Sequence, residues 1–257
     1  MFQAVQCAAV IPCYNEAASI AALVSAVRQQ LPVVIVVDDG STDNTGNLAQ
    51  AAGATVIRHP HNLGKGASLK TGLTRALNLG YEWVATLDGD GQHAPEDLPA
   101  LFQAVQATDA RLIIGNRMGE AQKMCRLRRL VNRWMSRQLS RRAGCDLPDT
   151  QSGFRLIHLR TWAELSLQAQ HFEVESETLM AFLAAGQAVQ FAPVRVMPGR
   201  RQSHIHPVAD TVRWFQWWRK SHRHLCPPLN SPSPSTSPSA GPQPPETFEP
   251  TAAGARH

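Results

Sequence analysis

The chain has 257 residues, of which 43% are hydrophobic and 18% charged, so it is long enough for one globular domain with a sizeable core. Its five cysteines are odd in number, widely spaced and without a Cys-x-x-Cys pair, which argues against a disulfide framework and a zinc site and favours a reducing compartment. No apolar run is long enough to cross a bilayer and no signal peptide is recognisable, so we expect a cytoplasmic protein.

Composition and charge are uneven along the chain. Residues 227–257 contain nine of the 18 prolines, with serines and few aliphatic residues, which predicts a disordered tail. The formal net charge is +5, yet Arg111–Arg142 contains ten Lys or Arg residues against the single acid Glu120. Such a segment predicts an anionic partner, and its sign alone leaves phosphate, nucleic acid and a membrane surface open.

Strands and helices alternate in the first half of the chain. Predicted strands cover Ala8–Pro12, Val33–Val37, Ala54–Arg58, Trp83–Leu87 and Arg111–Ile114. Predicted helices cover Ala17–Leu31, Thr45–Ala52, a segment after Gly66 that carries Leu69, Leu73 and Leu77, and Pro95–Ala107. Unbroken β-branched runs are typical of strands that helices cover on both faces. The order therefore predicts a single α/β domain with a mostly parallel central sheet flanked by helices.

Polar side chains follow two of these strands. Asp38–Asp39 comes after Val33–Val37, and Asp88-Gly89-Asp90-Gly91-Gln92 comes after Trp83–Leu87. Open α/β sheets bind ligands at the carboxyl ends of their strands, and the glycines allow close approach of the backbone. Two carboxylates and an amide suit a hard divalent cation that carries phosphate oxygens. Turn chemistry alone is the competing interpretation of the Asp-Gly repeat, and helix capping is the competing role for Asp38 or Asp39.

A basic helix is predicted after the fifth strand. Its arginines recur every three or four residues and so share one stripe, at Arg126, Arg129, Arg133, Arg137 and Arg141. Anion binding and an ordinary solvated basic face are both compatible with this pattern. The pattern predicts a phosphate-binding or solvent-facing surface, and favours the solvated face for Arg137 and Arg141.

The later segments are predicted as a loop at Gln151–Arg155, a helix beginning near Glu173, a strand at Phe191–Met197 and an amphipathic helix within residues 206–226. That last helix has Val208, Val212, Phe215 and Trp218 on one face and cations opposite. This pattern favours peripheral contact with the inner membrane surface, and packing against the domain is the competing interpretation. Three glutamates, at positions 173, 175 and 177, begin the helix near Glu173, where compensation of the helix dipole accounts for at least one of them.

Five motifs occur in the order found in inverting family 2 glycosyltransferases of the GT-A fold, which the sequence resembles: Val10–Glu16, Val36–Ser41, Asn62–Gly66, Asp88–Gln92 and Ser152–Arg155. The likeness is greatest to dolichol- and polyprenyl-phosphate mannosyltransferases. It implies a GT-A domain over residues 1–205. It also implies non-processive transfer of one hexose from GDP-mannose or a UDP-hexose to a polyprenyl-phosphate-like lipid.

The resemblance implies a role for individual residues. The donor would contact Pro12, Tyr14, Glu16, Asp38, Asp39, Lys65, Asp88, Gly89 and Arg201. Mg²⁺ or Mn²⁺ would be held by Asp88, Asp90 and Gln92. The acceptor phosphate would be bound by Arg117, Arg129 and Arg133. The residues implied in catalysis are Asp90, Arg117 and Glu173.

Two other functions compete with this one. The same donor chemistry on a hydroxyl acceptor, in a lipid or a small molecule, needs a positioned base, whereas a lipid monophosphate is already largely ionised near neutral pH. A nucleic-acid-binding module would use the basic segment Arg126–Arg142. It would leave the acidic loops at the strand ends without a purpose, so we expect no nucleic-acid partner.

Overall fold

The computed structural model describes residues 6–197 and 207–220, with the backbone alone for 207–211. Its strands are β1 (Cys7–Cys13), β2 (Val34–Asp38), β3 (Thr55–Arg58), β4 (Trp83–Thr86), β5 (Leu112–Asn116), β6 (Arg155–His158) and β7 (Val189–Pro193). Its helices are α1 (Ile20–Arg28), α2 (Thr45–Ala51), α3 (Lys65–Asn78), α4 (Leu98–Ala107), α5 (Arg126–Ala143), α6 (Leu159–Ala163), α7 (Val174–Ala184) and α8 (Pro207–Lys220). Arg201 and the predicted tail lie outside the described residues.

The seven strands form one sheet in the order β3-β2-β1-β4-β6-β5-β7. All neighbours are parallel except β6, which runs antiparallel to both β4 and β5. The predicted mostly parallel α/β sheet is therefore confirmed. None of the helices in the described ranges is long and apolar enough to cross a membrane.

Helices cover both faces of the sheet because its central strands are apolar on both sides. Along β1, Cys7, Ala9 and Ile11 pack into one core, with α1, α2 and α4. The intervening Ala8 and Val10 pack into a second core, with α3, α5, α6, α7 and α8. This alternation is the two-residue period of a strand.

The register of the sheet brings the predicted loops to one edge. Cys13 of β1 lies beside Asp38 of β2, and Val10 lies beside Thr86 of β4, so the loops that follow β1, β2 and β4 leave the sheet together. Because β6 is antiparallel, its beginning at Arg155 lies at this same edge. The loop before β6 therefore joins the loops after the parallel strands.

Three later elements differ from the sequence prediction. The last strand ends at Pro193, not Met197, because its partner β5 ends at Asn116. The backbone beyond it bonds to loops instead: the amides of residues 195, 196 and 197 donate to Asp97, Glu120 and the carbonyl of Gln92. The strand β6 and the short helix α6 were not predicted.

Candidate active site

The loops at this edge enclose a cavity of about 860 Å³. Its lining on the β1, β2 and β4 side includes Pro12, Tyr14, Glu16, Asp39, Lys65, Asp88, Gly89, Asp90 and Gln92. Its lining also includes Arg117, Lys123, Leu127, Arg128, Asn132, Met135, Arg213 and Trp214. The structure thus brings together most of the predicted donor and metal residues, and it adds residues of α5 and α8 to the same lining.

The loop after β1 is fixed by the loop after β2. Asn15 has a left-handed backbone with φ 56°, which Asn tolerates better than most residues. Its amide donates to Ser41 Oγ at 3.0 Å, and the amide of Glu16 donates to Thr45 Oγ1 at 2.8 Å. The carboxyl of Glu16 has a pKa raised to about 7, because it is partly buried and lies near the charge of Asp90.

Asp38 and Asp39 shape loops and do not cap a helix. Asp39 accepts hydrogen bonds from the amides of Leu63 and Gly64, at 3.0 and 2.8 Å, and lies 2.7 Å from His59 Nδ1. Asp38 accepts from the amide of Ser41 at 3.0 Å. At the start of α2 it is Asp43 that accepts from the Thr45 amide, so capping by either predicted aspartate is wrong. Asp39 still lines the cavity.

Asp88 is the centre of a charged cluster. Lys65 Nζ lies 2.5 Å from Asp88 Oδ1 and 2.6 Å from Glu175 Oε1, and His93 Nε2 lies 3.1 Å from Asp88 Oδ2. Burial disfavours the charged form of Asp88, but Lys65 and His93 outweigh it and hold its pKa well below the usual value. The carboxylates of Asp88 and Glu175 raise the pKa of Lys65, although the burial of Lys65 acts to lower it. Lys65, predicted at the donor, therefore organises the acidic cluster, and Glu175 and His93 join it unpredicted.

Gly153 lies against the carboxylate of Asp88. A Cβ at this position would lie 2.5 Å from Asp88 Oδ1. The loop that contains it is clamped by Arg155, whose guanidinium donates to the carbonyls of Thr150, Ser152 and Glu175. Burial lowers the pKa of Arg155 to about 10. This loop therefore packs directly against the acidic cluster.

The donor set suits a hard divalent cation whose remaining ligands come from a diphosphate. Asp90 Oδ1 accepts from the Gln92 amide at 3.0 Å, and within the described ranges Oδ2 has no hydrogen-bond partner. Gln92 Oε1 accepts from Arg128 at 2.7 Å and keeps a second lone pair. Asp88 already has a partner on each oxygen. No group of three or more His, Cys, Asp or Glu among the described residues could hold an ion alone, and Mg²⁺ normally takes only one or two carboxylates beside phosphate.

Arg117 is held by Asp149. Its Nε and Nη2 donate to the two carboxylate oxygens at 2.8 and 2.9 Å, and its backbone amide donates at 3.0 Å. Both side chains are buried, at 6% and 0% exposed. Burial raises the pKa of Asp149, but Arg117 and Asn132 outweigh it and lower the pKa to about 2. Arg117 lines the cavity, and within the part of the chain described here its Nη1 has no hydrogen-bond partner; its binding of phosphate stays a prediction.

On α5 the arginine that lines the cavity is Arg128. The predicted Arg129 and Arg133 do not line it, and Arg133 is exposed. Arg128 shares a helical stripe with Asn132 and Met135, which also line the cavity, whereas Arg129 and Arg133 lie on the neighbouring stripe. Acceptor binding by Arg129 and Arg133 stays a prediction.

Glu173 does not line the cavity, although its Oε2 is buried without a hydrogen-bond partner among the described residues. Glu175 lines the cavity and pairs with Lys65. Glu177 accepts from the amides of Gln168 and Ala169 and so fixes the preceding loop. The three glutamates therefore have different tasks, and the catalytic role of Glu173 stays a prediction.

The chain matches the family model described as Glycosyl transferase family 2 over residues 8–161. It is similar to an undecaprenyl-phosphate mannosyltransferase of Micrococcus luteus, with 32% identity over 171 residues that cover 62% of this chain and 69% of the relative. It is also similar to a UDP-N-acetylglucosamine–dolichyl-phosphate N-acetylglucosaminyltransferase of Methanococcus voltae, with 29% identity over 66% of this chain and 77% of the relative.

A solved structure shares the fold. Glucosyl-3-phosphoglycerate synthase of Mycobacterium tuberculosis, in complex with Mn²⁺, UDP-glucose and phosphoglyceric acid, superposes with a TM-score of 0.69 at 24% identity, covering 83% of this chain and 78% of that one. The α/β fold predicted from the sequence is therefore GT-A-like.

Proposed function

Because the chain belongs to glycosyl transferase family 2, we propose that it transfers one hexose, with inversion, from a nucleotide-diphospho-sugar to a polyprenyl-phosphate-like acceptor. The observation that carries this proposal is the cavity itself. The acidic loops after β1, β2 and β4 line it together with Arg117 and Arg128. A nucleotide sugar held through a metal ion and an anionic acceptor together need acidic and cationic groups in one cavity.

The donor would lie along the β1–β4 side. Pro12, Tyr14 and Asp39 border the space for the nucleoside, and the glycine-rich turn after β4 borders the space for the diphosphate. A divalent cation held by Asp90 and Gln92 would neutralise the leaving diphosphate. Asp88 would lie behind these two ligands and contribute its negative charge, since Lys65 and His93 keep it ionised and in place.

The acceptor would approach from the α5 side. The guanidinium of Arg117 is oriented by Asp149, so it is preorganised to bind a phosphate with its remaining N–H groups. A phosphate oxygen is already a nucleophile near neutral pH, so no side chain has to remove a proton from it. Attack on the face opposite the diphosphate inverts the anomeric centre.

A donor and acceptor screen tests the proposal. GDP-mannose, UDP-glucose and UDP-N-acetylglucosamine, each labelled in the sugar, are incubated with Mn²⁺ and either polyprenyl phosphate or the matching polyprenol. We expect label in lipid from one donor and only with the phosphate. Equal labelling of the polyprenol would favour the hydroxyl acceptor instead.

Substitution of Glu173 by Gln tests whether Glu173 acts as the base for a hydroxyl acceptor. A phosphate acceptor predicts an almost unchanged rate, because no base is needed. A hydroxyl acceptor with Glu173 as its base predicts a loss of about 100-fold or more. Initial rates at saturating substrates provide the measurement, and Glu164→Gln, at an exposed position after α6, is the matched control. A steep loss with polyprenyl phosphate would contradict the phosphate mechanism.

We further propose that a surface formed by α5 and α8 rests on the membrane that holds the acceptor. Leu127 and Leu130 of α5 are 57% and 67% exposed, and Val212 and Phe215 of α8 are 49% and 48% exposed. Exposed apolar residues beside arginines suit the interface of an anionic bilayer. Leu127 also lines the cavity, so this surface adjoins its mouth. The exposed apolar residues of α8 support membrane contact by this helix, and the burial of Trp214 supports its packing against the domain.

Charged substitutions should detach this surface from lipid. We expect Leu130→Glu with Phe215→Glu to weaken binding to phosphatidylcholine–phosphatidylglycerol vesicles by about tenfold or more, because two apolar contacts are lost and two negative charges face anionic lipid. Cosedimentation measures the binding, and Leu79→Glu, a 47% exposed leucine at the end of α3, is the control. Equal binding of the double variant and the control would refute the assignment.

A further inference from the structure

The C-terminal helix α8 is held against the domain by one buried tryptophan. Trp214 is 2% exposed, and its Nε1 donates a hydrogen bond of 2.9 Å to Ser176 Oγ on α7. Its ring stacks on Trp218 with centroids 5.3 Å apart and meets Trp134 of α5 edge to face at 5.4 Å. A buried indole with a satisfied N–H fixes how the helix is rotated. One face of α8 is therefore committed to the domain.

A second contact fixes α8 one turn further on. The guanidinium of Arg142 lies 4.6 Å from the ring centroid of Trp218 and donates to its carbonyl at 3.3 Å. The cation–π contact and the hydrogen bond connect the end of α5 to α8. With two anchors, the direction of α8 is set as well as its rotation.

The anchor on α7 contacts a residue that lines the active-site cavity. Ser176 Oγ also accepts from Nε2 of Gln151 at 3.0 Å, and Gln151 lines the cavity. Ser176 directly follows Glu175, the partner of Lys65. The helix α8 is thus one hydrogen bond from residues that face the substrates.

Fixing Trp214 places its neighbour Arg213 on the cavity wall. The cavity lining also contains other lysine and arginine residues. Lys65, Arg117 and Lys123 each lie within 2.8 Å of a carboxylate, whereas Arg128 donates a hydrogen bond to the neutral Gln92. Among the described lining residues, α5 and α8 contribute two arginines and no carboxylate. The wall formed by these two helices is therefore the cationic one.

We propose that Arg213 binds the phosphate of the acceptor, which makes α8 part of the acceptor site. This assignment rests on the proposed transfer to a lipid phosphate and adds a residue outside the family-matched segment, which ends at residue 161. A guanidinium binds phosphate through two N–H groups, and the backbone of an arginine on an anchored helix is already fixed before the phosphate binds. Arg128 and Arg213 would approach the phosphate from α5 and α8, and Arg117 from the end of β5.

Arg213→Gln tests the assignment with two readouts. We expect the KM for polyprenyl phosphate to rise about 10- to 100-fold, the value of a charge-assisted hydrogen bond, while the KM for the donor is unchanged. Titration calorimetry with geranyl phosphate, without donor, should show the same loss, and Arg213→Lys should recover part of it. Arg219→Gln, an exposed arginine on α8 that does not line the cavity, should behave as wild type.

The possible failures are distinguishable. An increase in the donor KM alone would show that Arg213 contacts the diphosphate, and no change in either KM would show that it contacts neither; both results overturn the assignment. Equal binding of inorganic phosphate and geranyl phosphate, each lost in Arg213→Gln, would support a phosphate site that does not sense lipid. A wild-type protein that binds the donor but transfers to no polyprenyl phosphate would refute the proposed function itself.

Discussion

Asp90→Ala is expected to lower hexose transfer by about 1,000-fold or more while leaving the fold intact. Asp90 belongs to neither hydrophobic core, and its one hydrogen bond within the described residues is the turn contact to the Gln92 amide. Its other oxygen has no partner among the described residues, so the substitution removes a proposed metal ligand and no packing. The leaving diphosphate would then lack its counter-charge.

Metal-dependent nucleotide binding checks this prediction independently of turnover. Wild-type protein should bind GDP or UDP more tightly with Mn²⁺ than with EDTA, and Asp90→Ala should show no difference between the two conditions. The electron paramagnetic resonance signal of Mn²⁺ reports the ion directly. Asp109→Ala, at an exposed loop position, is the control. Transfer that persists in EDTA or in Asp90→Ala would refute the metal mechanism.

The parallel part of the fold could be predicted because its strands contain continuous apolar runs, such as Val34–Val37 of β2. The antiparallel strand β6 could not, because it begins with a charged residue, Arg155. Arg155 is buried all the same, since three backbone carbonyls accept from its guanidinium. The sequence does not reveal such long-range compensation.

The cluster at Asp88–Gln92, which lines the cavity, could be predicted because its position directly after a strand is recognisable from the local sequence. Glu175 was interpreted only as a helix-start acid, because its pairing with Lys65 joins positions far apart in the chain. The spacing of the arginines correctly predicted the helix α5, but spacing cannot show which side of a helix is buried. Met135 and Leu139 are buried while Leu127 and Leu130 are exposed, and this turns Arg128 to the cavity.

The pair formed by Arg117 and Asp149 links stability to function. Asp149→Asn is expected to lower the free energy of unfolding by about 3–5 kcal/mol, because the buried Arg117 then has no counter-charge. Urea unfolding near neutral pH measures the loss. Adding Arg117→Met should restore much of the stability, because the uncompensated charge of Arg117 is removed. The Asn can still accept a hydrogen bond from the backbone amide of residue 117. Both variants should transfer poorly. A double variant no more stable than Asp149→Asn would show that the loss has another cause.

The pH dependence of that difference follows from the pKa of Asp149. Its folded-state pKa of about 2 lies below the ordinary value of 3.8, so the ionised carboxylate stabilises the fold fully above about pH 4. As the pH falls toward 2, the wild-type carboxylate gains a proton and comes to resemble the amide of Asn. The stability difference between wild type and Asp149→Asn should therefore shrink between these pH values, as unfolding at a series of pH values would show. A difference that stays constant would mean that the charge of Asp149 is not what stabilises the site.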